Sequence, residues 1–223
     1  MPDVPRGING APVRLFPLEN FALLVSDFAG DALPFNRKDA LVHAAVVRSV
    51  LDRTTPLPFR FGTVVTEDQL RSYLTARRDA LLAKLAKIRG CLEMNVRIIS
   101  DQNGTEEVGA QVAEKPGTSF LLQKRREIAG SEARAAEAKN VAAWLDGLVG
   151  QFVTQKELKT NITNQLILTE AHLVERSLIE RYRATLNEAR RERPELKFLV
   201  SGPWAPYSFA NIDLEFRTQF GVS

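Results

Sequence analysis

The stretch PLPFRFGTVV at 56–65 alternates from Leu57 onward. Leu57, Phe59, Phe61, Thr63 and Val65 fall on one side; Pro58, Arg60, Gly62 and Val64 fall on the other. The period of two predicts a strand, entered through prolines that cannot donate to a ladder. Arg60 stands between two phenylalanines, as a snorkelling or salt-bridged arginine does, or as one that holds an acidic partner element. Upstream, residues 1–13 are proline- and glycine-rich and read as a loose tail. Asn20 to Phe28 reads as a first buried strand, and Asn36 caps a helix from Arg37 to about Asp52 whose apolar face includes Leu41, Ala44, Val47 and Leu51.

Downstream, Thr66 followed three residues later by Gln69 has capping-box spacing. It predicts one helix to about Arg89, striped by Leu70, Leu74, Leu81, Leu85 and Ile88 and ended by Gly90. Cys91 to Ser100 alternates, with Leu92, Met94, Val96 and Ile98 facing one way and Glu93, Asn95 and Arg97 the other. Residues 101–117 hold turn residues and no period, which predicts an exposed loop. A helix is expected over 118–150, with Gly130 as a possible break. Strands at 151–159 and 164–174, joined by a polar turn at Thr160-Asn161, follow. An amphipathic helix over 175–193 stops at Pro194, and a last strand covers 196–201.

From residue 91 the order is therefore β, α, β, β, α, β, the split βαβ or ferredoxin-like plan. The expected fold class is α+β in two domains: a smaller α+β unit at 14–90 and a ferredoxin-like one at 91–223.

Composition narrows the function classes. A 44% hydrophobic and 26% charged chain of 223 residues is ordinary for a soluble protein with a real core. The net charge of +3 comes from basic residues interleaved with acids, which argues against a phosphate-tracking groove. Phe59-Arg60-Phe61-Gly62 has a faint look of an RNA-binding aromatic motif but departs from it in order and position, so no nucleic acid is expected. The single cysteine, Cys91, excludes an internal disulfide framework, and two histidines, His43 and His172, leave little for a metal. His43 reads as an ordinary surface or core-edge side chain and His172 as a satisfied sheet histidine. No signal-peptide pattern or run of about 20 apolar residues is present, so no lipid membrane and a cytoplasmic setting are expected. There is no GxSxG, GxxxxGK[ST] or HExxH, so no catalytic, cofactor or metal residues are assigned.

Five segments, taken in order, resemble the gas vesicle protein GvpL/GvpF family: PLPFRFGTVV at 56–65 with the long helix after it, GCLEMNVRI at 90–98, PGTSFLLQKRRE at 116–127 and GPWAPYSFANI at 202–212. The resemblance implies a non-enzymatic accessory or minor structural protein of gas vesicles, hollow gas-filled protein shells. It implies a part in assembly through contact with the hydrophobic shell protein GvpA and other Gvp proteins. It also implies two α+β domains, the second a modified ferredoxin-like one with an enlarged helical region.

A protein that keeps an apolar shell subunit from aggregating needs an apolar or sheet-edge surface. GPWAPYSF is the candidate, with Trp204 and Tyr207 as anchors on a proline-stiffened segment and Arg60 as a further partner contact. The alternative is a small-molecule-binding or enzymatic α+β domain using its sheet face. A deep polar pocket with a perturbed acid or base would favour it; a flat apolar patch or open edge would favour the first reading.

Overall fold

A computed structural model describes residues 4–18, 20–30, 32–100, 116–159, 166–210 and 212, with the side chains of residue 100 and of 116–131 set aside. Of the exposed loop expected at 101–117, residues 101–115 lie outside the described residues, as does the turn at Thr160-Asn161, while Pro116 and Gly117 already belong to the helix that follows. The chain divides into two compact units: Met1–Glu93 with Pro203–Ser223, and Met94–Gly202. Residues 203–210 and 212 group with the first of these units.

In the first unit, β1 (Val13–Leu18) pairs antiparallel with β2 (Phe21–Ser26), with Leu15 opposite Leu24 and Pro17 opposite Ala22. Only Val13 of β1 falls inside the expected tail, and the rest of the strand, Pro17 included, lies where no element was expected. In a two-stranded ribbon each strand has an open edge, so proline is tolerated there. Phe16 from β1 is buried in a cluster with Leu70, Leu74 and Leu81, against which Leu57 and Val65 also pack.

α1 (Arg37–Leu51) starts as expected, with the Asn36 side chain accepting a hydrogen bond from the Asp39 backbone N–H at 2.8 Å. Thr66 and Gln69 form the full capping box at the head of α2 (Glu67–Ala76). The single long helix expected here is two: α3 (Arg78–Ile88) begins after a break at Arg77, φ −116° and ψ 15°. The break falls where Arg77-Arg78 interrupts the apolar stripe, so a straight helix would have turned a charged pair toward the core.

The segment 57–65 is not a strand. It has no ladder partner: residues 55–60 are irregular and a turn follows at Phe61-Gly62. Thr63 donates to the Arg60 carbonyl from its N–H (3.2 Å) and its hydroxyl (2.8 Å), and Gly62 has φ +87°. Pro56 and Pro58 offer no N–H, and the anchors are the ends of the stretch, Leu57 and Val65, in the core. Alternation here records two buried endpoints rather than a pleat.

In the second unit the chain order is β3 (Cys91–Ser100), α4 (Pro116–Val149), β4 (Val153–Leu158), β5 (Leu166–Glu175), α5 (Ile179–Glu192) and β6 (Leu196–Trp204), the strands adding up in the order β4-β5-β3-β6. The unit boundaries fall within β3 and β6. α4 runs unbroken through Gly130. Its buried residues Ala138, Val141, Leu145 and Val149 keep a helical spacing, as do Ile179, Tyr182, Leu186 and Ala189 on α5. Met94, Val96 and Ile98 of β3 are fully buried, the apolar face that alternation predicts. Arg183 and Arg190 of α5 donate to the Gly202 and Phe198 carbonyls at 2.9 and 3.1 Å, fixing α5 along β6.

Candidate functional site

α1 carries one wall of the first unit's interior. Its inner residues Val46 and Val50, with Leu23 and Val25 of β2, Phe59 and Leu85, line a cavity of about 410 Å³ that Ile212 also reaches. A second concavity of about 430 Å³, sharing His43 and Phe59 with the first, is bounded by the Arg60–Val65 turn. The first is walled mainly by aliphatic groups. In the second, Asp27 is paired with Arg14 at 3.2 Å, and Glu67 with Arg71 at 2.8 Å.

His43 is the titratable group at both. Burial lowers its pKa, partly opposed by a hydrogen bond to the Phe59 backbone, so the ring is neutral near pH 7. Its Nε2 is buried with no partner among the described residues.

Arg60 is exposed in the turn and makes no ion pair among the described residues. Phe61, beside it, meets the rings of Phe35 and His43 edge-on at 5.8 and 5.9 Å. Arg60 lines the second concavity with Arg14, Asp27 and Glu67.

Trp204 and Tyr207 lie at the end of β6 and just beyond it. After β6 the chain turns through Ala205-Pro206 into the short α6 (Tyr207–Ala210). The small residues fill the interior: Ala205, Pro206 and Ala210 are buried, while Trp204 is 48% and Tyr207 39% exposed. Three side chains of the first unit hold this segment. Arg48 of α1 donates to the Pro203 carbonyl (3.1 Å), and Lys84 of α3 to the Ala210 carbonyl (3.2 Å). The buried Glu93 carboxylate accepts from the Ser208 N–H and hydroxyl, each at 2.8 Å. Glu93 also raises the Tyr207 phenol pKa, after the larger effect of burial. The structure therefore brings Arg60, Trp204 and Tyr207 into one unit around α1, and adds two exposed residues the sequence reading had not selected, Phe35 (74%) and Leu41 (62%). Leu41 was counted on the buried face because helical periodicity identifies a stripe without saying what covers it.

His172, in β5, is buried and satisfied. Its Nδ1 meets the Tyr182 hydroxyl and its Nε2 the Glu170 carboxylate, both at 2.8 Å. Burial, and secondarily the Glu170 charge, raises the Tyr182 pKa far above its usual value, which keeps the phenol protonated. Cys91 is buried, its thiol 3.7 Å from the Arg89 carbonyl. Residues 170–174 of β5 are all buried, so neither sheet face is open along that strand. Among the described residues no cluster of His, Cys, Asp and Glu could hold a metal ion, and no helix is long and apolar enough to cross a membrane.

The architecture is a mixed α/β fold shared with solved gas vesicle proteins. The crystal structure of GvpF from Anabaena sp. PCC7120 superposes with a TM-score of 0.77 at 18% identity, covering 93% of this chain and 89% of that one. GvpF from Microcystis aeruginosa gives 0.76 at 19%, covering 95% of each. In sequence, the chain is 26% identical to gas vesicle protein L of Streptomyces sp. (strain CB03234), over 95% of this chain and 88% of that protein. It is also 26% identical to gas vesicle protein L2 of Halobacterium salinarum, over 92% and 83%. The family model described as "Gas vesicle synthesis protein GvpL/GvpF" matches residues 2–211, and the chain belongs to that family. Its role is accordingly a gas-vesicle one.

Proposed function

We propose that this chain is an accessory or minor structural protein needed for gas vesicle assembly. It acts in the cytoplasm and at the vesicle by binding the hydrophobic shell protein GvpA and other Gvp proteins, without a cofactor and without turnover. The family match over residues 2–211 carries the reading. The site chemistry supports it: the exposed groups around α1 are aromatic, aliphatic and cationic, which suits a protein partner better than a substrate. We also read the second unit as a modified ferredoxin-like domain. Its βαββαβ order and β4-β5-β3-β6 sheet support this, and the 34-residue α4 supplies the enlarged helical region.

The test is genetic and biochemical together. Removing this gene from a gas vesicle cluster should abolish or deform the vesicles. Tagged GvpA co-expressed with the intact chain should capture it, and normal vesicles without the gene would overturn the reading. No binding to RNA or to lipid vesicles is expected at any salt concentration.

A further inference from the structure

We propose that the outer face of α1 is a docking surface for an amphipathic helix carrying an aliphatic stripe and an acidic end. From Ala40 to Leu51 the helix is aliphatic except for His43, Arg48 and Ser49, yet Leu51 is its one buried residue. Hydrophobic content of that density is normally covered on one side. The inner side lines the cavity. The outer side, spaced at three and four residues through Arg37, Leu41, Ala44, Ala45 and Arg48, is open. Ala44 and Ala45 leave the middle of the face flat, so a second helix axis can approach to about 8–10 Å.

Charge selects the occupant. Arg37 and Lys38 sit in the first turn of α1, where the helix dipole is positive and cations are disfavoured. Neither has an ion pair among the described residues, whereas Asp39 beside them is engaged at the Asn36 cap. Two cations kept against the dipole are a local cost that an incoming carboxylate would offset. At the opposite end Arg48 holds the Pro203 carbonyl, which places the exposed Trp204 next along the surface. The face is thus cationic at one end, flat and aliphatic from Leu41 to Ala45, and, past Arg48, aromatic at the other. The exposed cations at the head of the helix select an occupant with acids at the matching end.

The identity of the partner rests on the shell-protein reading; the surface does not. The experiment co-expresses tagged GvpA with the full chain and compares wild type, Leu41→Asp, Arg37→Glu/Lys38→Glu and, as a control in the second unit, Leu199→Asp. Leu41→Asp should reduce capture about tenfold or more, as central contacts do, with thermal unfolding unchanged because the side chain is exposed. Arg37→Glu/Lys38→Glu should also weaken capture while raising thermal stability, since acids suit that end of the helix. Leu199→Asp should behave as wild type. A carbodiimide should join Lys38 to a carboxylate of GvpA. Undiminished capture of both α1 variants would overturn the docking surface and leave the shell reading standing. Absence of capture for the wild type would remove the shell reading itself. A wild-type dimer that Leu41→Asp dissociates would make α1 a self-interface and overturn the acidic-partner proposal.

Discussion

A buried histidine bracketed by a carboxylate and a phenol must have all three polar groups paired, and Glu170, His172 and Tyr182 achieve this within β5 and α5. Removing one member is costlier than removing them together. His172→Leu strands the buried Glu170 and should cost roughly 3–5 kcal/mol in urea unfolding, while adding Glu170→Leu should recover part of that loss. Equal or greater loss in the double variant would mean that the cluster is net stabilising as a unit. Tyr182 also sets an alkaline limit. Its folded pKa lies above the ordinary 10.0, so the unfolded chain loses this proton first. Stability from this group is complete below pH 10 and falls as the pH rises beyond it; Tyr182→Phe should remove that part of the slope. His43 works in the opposite sense. Its folded pKa is below 6.5, so its contribution is complete above that pH and fades on acidification, and His43→Gln should flatten the decline in an unfolding titration. The expectation that His172 is a satisfied sheet histidine is met by its two partners. For His43 the sequence offered no sign that one ring nitrogen would be left buried and alone.

At the level of elements, caps and local turns were the most legible features. Asn36, Thr66–Gln69 and the positive-φ Gly90 each act through residues within three or four positions, so the sequence contains both partners. Thr66→Ala should destabilise by about 1 kcal/mol, read by thermal unfolding. Gly62 tests the corrected reading of 57–65. A Cβ there would meet only the Leu33 carbonyl, at 3.9 Å, so the cost of Gly62→Ala lies in its φ of +87° rather than in a clash. In a turn the substitution should cost about 1–2 kcal/mol; in a strand it would be neutral or favourable, and a stabilised variant would restore the strand. The elements misjudged from sequence share a cause. Pro17 stands inside β1, where it is tolerated because a two-stranded ribbon has only edges. The helix break at Arg77 depends on where the core lies, and periodicity alone does not locate it.

For the whole molecule, the decisive contacts are those between residues far apart in sequence. Glu93 and Ser208 join the start of β3 to the end of the described chain, and charge-assisted bonds of this kind contribute roughly 1.5–3 kcal/mol each. Glu93→Gln should therefore lower the unfolding midpoint measurably; an unchanged midpoint would show that the segment is held without the carboxylate. Trp204→Ala should weaken capture by tagged GvpA by roughly 2 kcal/mol, the hot-spot range. Its unfolding should change little, because nearly half of the ring is exposed. The sequence by itself determined what is local or cumulative: the helix caps, the alternation that makes β3, the βαββαβ order after residue 91, and the family. Short-range hydrogen bonds, side-chain periods and a motif set spread over the chain encode these directly. Only the tertiary structure decided that 57–65 is a turn-bearing segment anchored at its ends, that residues 203–210 group with the first unit, and that α1 leaves Leu41 open. Those outcomes depend on which apolar faces meet, and hydrophobic burial has no direction of its own along the chain.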